Sequence, residues 1–156
     1  MTKVPEAISQ EECDFAESGA DMADLKALKE LLKPLFPGLM GMELSDAQPD
    51  CVTARLTVRS DLCTVGGILH GGAIMAFADT LGAVATVVNL PPDMRTTTIE
   101  SKTNFFAAAK LGSTVTGECT ALHKGRTTMT WQTAIKNETG KLCAIVTQTQ
   151  LILPAA

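Results

Sequence analysis

Tyrosine is absent from this chain of 156 residues, tryptophan occurs once and phenylalanine five times. Positive charge is also short: 13 Lys and Arg stand against 17 Asp and Glu, for a formal charge of −4. No basic stripe of the kind that follows a phosphate backbone is present, so a nucleic-acid surface is not expected. A local basic pocket for a phosphorylated small molecule is compatible with the same balance. The five cysteines, at 13, 51, 63, 119 and 143, are odd in number, contain no CxxC and follow no secretory signal. They read as small hydrophobes of a reducing, cytoplasmic compartment. The two histidines, His70 and His123, show no ligand spacing with the thiols, so neither a metal site nor a cofactor is expected. There is no G-x-S-x-G elbow, no G-x-x-x-x-G-K-[ST] phosphate loop and no dinucleotide G-x-G-x-x-G. The largely apolar stretch 68–90 is interrupted by His70, Asp79 and three glycines and is followed by Pro-Pro, so no membrane span is expected.

The length suits one domain with a real core, and neither a repeat nor an interdomain linker is visible. Residues 1–24 carry seven acidic side chains against Lys3 and form an acidic N-terminal arm; 25–156 form a single domain. Within 22–33, Leu25, Leu28, Leu31 and Leu32 make the stripe of a short amphipathic helix, stopped by Pro34 and Pro37-Gly38. From Cys51 the period becomes two. Val52, Ala54, Leu56 and Val58 alternate with Thr53, Arg55, Thr57 and Arg59, as in a half-buried antiparallel strand. A glycine-rich segment, 60–67, leads to a helix over 71–88, ended by Asn89-Leu90-Pro91-Pro92. Three or four threonine-rich strands follow, near 95–106, 113–123, 127–136 and 142–153, the last two joined by the turn Asn137-Glu138-Thr139-Gly140. One long helix plus a long antiparallel sheet is an α+β arrangement. The helix is apolar over more than one face, so a curled sheet that wraps it fits better than a flat one.

The chemistry concentrates in that helix. From residue 66 to residue 90, Asp79 is the only formally charged side chain. A carboxylate among apolar neighbours is costly to bury without partners. It is therefore exposed, paired with a buried donor, or used on a ligand. Gly71 and Gly72 open the helix, either for close packing or to let a ligand reach backbone N–H groups at the positive helix start. His70 either begins the helix or positions a substrate. In one straight helix, nine residues of rise hold His70 and Asp79 roughly 13 Å apart, so direct contact needs another chain or a bend.

The pattern Gly67-x-x-His70-Gly71-Gly72 followed by Asp79 resembles the signature of the hotdog-fold acyl-CoA thioesterases, in particular the phenylacetate-pathway and 4-hydroxybenzoyl-CoA thioesterase branches. Thr98-Ile99-Glu100-Ser101-Lys102-Thr103-Asn104-Phe105-Phe106, Gly125-Arg126-Thr127-Thr128 and Gly140-Lys141-Leu142 resemble later segments of that family, so the likeness spans about 39–153. The resemblance implies a hotdog fold, a curved antiparallel sheet around one central helix. It also implies a homodimer with two interface active sites, often paired into a homotetramer. On this resemblance the Gly71 N–H receives the thioester oxygen, and Asp79 of the other subunit is the catalytic carboxylate. His70 holds the signature position before the helix. Relatives commonly carry Asn or Gln six residues before that histidine; here the position is Thr64, whose hydroxyl is shorter and offers one donor where an amide offers two.

The expected activity is hydrolysis of an acyl-CoA thioester. Asp79 acts as general base or as nucleophile, and Thr64 or Thr80 orients water or carboxylate. Gly72 lies beside the carbonyl site, and Lys124, Arg126, Thr127 and Thr128 are candidates for the coenzyme A phosphates. Phe105 is a candidate pocket wall. The alternative is a non-catalytic acyl-CoA-binding or structural hotdog oligomer. Medium-chain and aryl acyl groups are equally compatible with the composition.

Overall fold

The computed structural model describes residues 24–155; the acidic arm expected over 1–24 lies outside them except for Asp24. The Asp24 carboxylate accepts from the Lys26 N–H and caps helix α1 (Leu25–Leu32), which buries Leu28 fully and packs Leu25 and Leu32 against the core. Pro34 and Pro37 do end α1, yet a second short helix, α2 (Phe36–Met40), starts between them. Proline in a first turn gives up only an N–H that has no helical acceptor.

Strands β1 (Met42–Gln48) and β2 (Cys51–Thr57) form the first hairpin. The period-two pattern of β2 is as expected. Strand β1 escapes the pattern because a register shift between Leu44 and Asp46 breaks its alternation. The segment after β2 holds a single 3-10 turn (Ser60–Leu62) and a two-residue pair, β3 (Cys63–Thr64) with β4 (Ile68–Leu69). Helix α3 (Gly71–Val87) follows, then β5 (Met94–Phe105), β6 (Thr114–Lys124), β7 (Thr128–Asn137) and β8 (Leu142–Pro154). The six long strands make one antiparallel sheet in the order β1-β2-β6-β7-β8-β5. Its edges are β1 and β5.

Helix α3 packs against the sheet and buries Ile74, Phe77, Leu81 and Val84 with the smaller Ala78 and Ala85. Close approach depends on Gly117 in β6: a Cβ there would stand 2.5 Å from Leu81 Cδ1 and 2.7 Å from Phe77 Cε1. Near the helix's C-terminal end, the fully buried Trp131 donates from Nε1 to Thr86 Oγ1 at 2.8 Å, and Thr86 Oγ1 donates to the Gly82 carbonyl at 2.9 Å. The one indole is thus both core volume and a satisfied polar link. Cys119 and Cys143 are buried, Cys51 and Cys63 half-buried, and all four are free. Burial pushes the Cys119 thiol up to about 11. No described helix is long and apolar enough to cross a membrane.

Trp131→Phe keeps an aromatic ring but deletes the donor and part of the volume. The unfolding free energy should fall by about 1–3 kcal/mol, the range for a lost buried hydrogen bond. Urea denaturation should show a lower midpoint with an unchanged m value.

Candidate active site

The start of α3 is pinned from two sides. The His70 N–H donates to the Leu62 carbonyl, and the Leu69 N–H donates to the Ala109 carbonyl, both at 2.9 Å. Upstream, Arg59 donates to the Met40 and Leu39 carbonyls at the end of α2 and forks onto both oxygens of Asp61. That guanidinium holds the Asp61 carboxyl below the usual carboxylate range. Arg59 therefore ties the loop before the site to the body of the protein, a role its place in an alternating strand pattern did not disclose.

His70 is the N-cap of α3, and its Nδ1 accepts from the Gly72 N–H at 2.9 Å. That bond requires an unprotonated Nδ1 and leaves Nε2 on the exposed side of the ring. The His70 carbonyl takes the Ala73 and Ile74 N–H groups. Of the first helical N–H groups, the one without an acceptor among the described residues is therefore that of Gly71. Gly72, a sequence candidate for carbonyl contact, has spent its N–H on the cap. Phe105 stands beside this point. A Cβ on Gly71 would come within 3.2 Å of its ring, so the glycine leaves the space between ring and backbone open.

Asp79 lies eight residues further along α3 and is half-buried. Its Oδ1 accepts from Thr98 Oγ1 of β5 at 2.8 Å, with Gln148 Nε2 of β8 beyond at 3.4 Å. Gln148 Nε2 also donates to the Asp79 main-chain carbonyl at 3.2 Å. Oδ2 has no hydrogen-bond partner among the described residues. The Thr98 oxygen in turn accepts from Gln150 Nε2 at 2.8 Å. Gly82 makes room for this arrangement, since a Cβ there would overlap the Gln148 amide. The small-residue face of α3 thus receives a side chain of the same protomer.

The other sequence candidates are scattered. Thr80 Oγ1 donates to the Ala76 carbonyl of its own helix at 3.0 Å. Thr64 is exposed on β3. Lys124 is exposed at the end of β6. Its ammonium pairs with Asp50 and reaches the Pro49 carbonyl and Asn89 Oδ1 just past the C-terminal end of α3. That end is about 25 Å from Gly71 by helical rise. Arg126 and Thr127 are exposed at the β6–β7 turn, and Thr128 begins β7 opposite Leu151. Arg126 has no ion-pair partner among the described residues.

The donors to Asp79 were not singled out from sequence. Thr98 opens the segment 98–106 that carries the family resemblance, but nothing in its type or spacing points to a bond with Asp79. Gln148 and Gln150, both fully buried, did carry a signal: two amides at period two in a strand whose inward positions are otherwise apolar. No described cluster of three or more His, Cys, Asp or Glu could hold a metal ion. Two clefts of the protomer lie elsewhere, one of about 560 Å³ between α1 and β1 and one of about 400 Å³ lined by Arg55, Lys136 and Glu138.

Residues 66–144 match the family model of the thioesterase superfamily. The 1,4-dihydroxy-2-naphthoyl-CoA hydrolase of Escherichia coli (strain K12) is 30% identical over 129 residues, covering 83% of this chain and 94% of that protein. The proofreading thioesterase EntH of Cronobacter turicensis is 31% identical over 104 residues, covering 67% of this chain and 75% of its own. The crystal structure of a thioesterase from Haemophilus influenzae superposes with a TM-score of 0.79 at 27% identity, covering 84% and 91% of the two chains.

Gly82→Ala should drive Gln148 out of its place and destabilise the fold by about 1–3 kcal/mol, the scale of overpacking. Adding Gln148→Ala should recover part of that loss in a thermal melt. Strictly additive losses would show that the two positions do not compete for one space.

Proposed function

The chain belongs to the thioesterase superfamily, and on that footing we propose that it hydrolyses an acyl-CoA thioester to the free acid and coenzyme A at a site built by two copies of the chain. The observation that carries this reading is the spacing of the two unsatisfied groups. The Gly71 N–H and Asp79 Oδ2 both lack protein partners among the described residues, yet eight residues of one helix set them about 12 Å apart. Reacting groups must come within about 3–3.5 Å of one centre. One helix cannot supply both to a single carbonyl; two helices across an interface can. The unpaired edge strand β5, with Ile99, Phe105 and the adjoining Phe106 more than half exposed, supports a homodimer there, with further pairing to a homotetramer left to the outer sheet faces.

In this reading the carbonyl oxygen of the thioester accepts from Gly71 N–H at the positive start of α3. Asp79 of the facing copy removes a proton from water as the water oxygen attacks the carbonyl carbon. The tetrahedral intermediate collapses, the C–S bond breaks, and the coenzyme A thiolate leaves and is protonated. The bond from Thr98 to Oδ1 supports base catalysis over direct attack, because it holds one oxygen and presents the other. Thr64 of β3 is assigned to hold the water through its single donor, and Phe105 to wall the acyl group. Lys124, Arg126, Thr127 and Thr128 are assigned to the phosphates of coenzyme A, the exposed pair of Lys124 with Asp50 being weak enough to exchange for a phosphate. The E. coli relative is named for an aryl thioester, which puts aryl acyl-CoAs first among substrates. The compartment is cytoplasmic, where acyl-CoA is met.

A thiol-release screen across short, medium, long and aryl acyl-CoAs should find turnover; tight binding without turnover would favour a non-catalytic acyl-CoA-binding oligomer. Asp79→Asn should lower kcat by about 10²-fold or more while the oligomer persists, the scale for a positioned base. Mixing Asp79→Asn chains with chains impaired at Gly71 should restore activity at one site of each heterodimer. Full activity in Asp79→Asn would remove the carboxylate mechanism, and verified heterodimers without recovery would remove the shared site.

Arg126→Ala should raise KM with kcat nearly constant, as for a contact equal in ground and transition states. An unchanged KM in a folded variant would return Arg126 to the solvated surface.

A further inference from the structure

Strand β8 turns two glutamines inward, Gln148 and Gln150, and both are completely buried. A buried amide is unfavourable unless its donors and acceptor are used. Gln148 Oε1 has no partner among the described residues, whereas Gln150 uses both ends. Its Oε1 accepts from Thr96 Oγ1 at 2.9 Å, and its Nε2 donates to Thr98 Oγ1 at 2.8 Å. Thr96 and Thr98 share the inward face of β5, with Thr98 directly opposite Gln150 in the β5–β8 ladder. A register shift follows between Thr98 and Glu100, so the paired alternation ends where the contact to Asp79 is made.

The direction of this chain of bonds matters because Thr98 has one hydroxyl proton. With Nε2 of Gln150 facing it, the Thr98 oxygen is occupied as an acceptor and its proton points to Asp79 Oδ1 at 2.8 Å. Reverse the amide and the same atoms bond differently. Oε1 would then take the Thr98 proton, and Nε2 would donate to Thr96. The Thr96 proton would pass to the Leu151 carbonyl, already 3.1 Å away. Thr96 and Gln150 would be equally satisfied in both arrangements. Only Asp79 would differ, losing its closest donor. The charge of the carboxylate favours the first arrangement, since a bond to an ionised acceptor is roughly twice as strong as a neutral one.

We propose that Gln150, backed by Thr96, is a positioning residue for thioester hydrolysis: it fixes the Thr98 hydroxyl as a donor to Asp79 and so holds the second carboxylate oxygen toward the attacking water. The proposal rests on the assignment of Asp79 as the working carboxylate. Neither Gln150 nor Thr96 touches the reacting atoms in this account; they act through Thr98.

Steady-state kinetics on Gln150→Leu, Thr96→Val, Thr98→Val and the double variant Thr98→Val/Gln150→Leu tests it, with Asp79→Asn alongside and thermal melts for each. Gln150→Leu and Thr96→Val should each lower kcat about tenfold, the equivalent of one hydrogen bond to a charged group, with KM within twofold. Thr98→Ser should retain kcat where Thr98→Val loses it. The double variant should be no slower than Thr98→Val alone, because Gln150 has nothing left to orient. Thr96→Val suits a strand and changes a half-buried position; it leaves Gln150 Oε1 without its donor, so its melt is read beside its kcat, and it carries the test should Gln150→Leu fail to fold. Folded variants with kcat within twofold of the parent would overturn the proposal, as would losses that multiply in the double variant. Should those results accompany an inactive Asp79→Asn, the carboxylate mechanism would stand and only the role of Gln150 would fall. A fully active Asp79→Asn would instead defeat the reading on which it rests.

Discussion

A helix that is apolar around most of its circumference cannot lie on a surface, and a carboxylate within it cannot simply be left there. These two demands organise the molecule. The first is met by a six-stranded antiparallel sheet packed on α3, with β2, β5, β6, β7 and β8 all touching it. The second is met at three points of that contact, through Thr98 and Gln148 for the carboxylate and through Gly82 for the space they occupy. Packing and polarity are therefore one problem here. Leu81 and Phe77 press onto Gly117 on one side of the helix, and that fixes how far β8 can advance its amides on the other. In a close-packed interior such displacements are transmitted rather than absorbed.

The helix start follows a complementary logic. An N-terminus presents several unsatisfied N–H groups, and a protein that intends to use one must dispose of the others. His70 does this with two atoms. Its Nδ1 takes the Gly72 N–H and its carbonyl takes those of Ala73 and Ile74. The Gly71 N–H is what remains. The imidazole is consumed as a cap, which explains how a histidine can sit beside a proposed reaction centre without serving as its base. The backbone bonds to Leu62 and Ala109, and the Arg59 clamp further upstream, hold that geometry in place.

Much of this was legible in the residues. The period-two runs located β2 and the four strands after α3 to within a residue or two, and the isolated Asp79 pointed to a carboxylate that needs partners, which β5 and β8 supply. What failed did so for physical reasons. Strand β1 has a bulge that destroys alternation, and α2 carries in its first turn a proline that looks like a stop. The donors to Asp79 were hidden because they depend on register between β5 and β8, sequence-distant strands whose pairing slips by one residue beside Thr98. A pattern of types along the chain reports which face a residue takes; it does not report what stands opposite.

On the proposed reading, the same geometry makes a second copy matter more than stability alone would require. One helix carries both an N–H and a carboxylate oxygen that have no partner among the described residues. Each is locally complete: the first is defined by the cap, the second by the donors of β5 and β8. Neither can be moved along a rigid helix to meet the other, because helical rise fixes their separation at about 12 Å. Bending the helix would break the contacts that bury Ile74, Phe77 and Ala78 between them. A twofold pairing of helices solves the distance without deforming either chain, since an isologous interface places each residue opposite its complement and forms two such sites at once. On the proposed reading, the rigidity that separates the two groups within one protomer is what allows them to be held accurately across two.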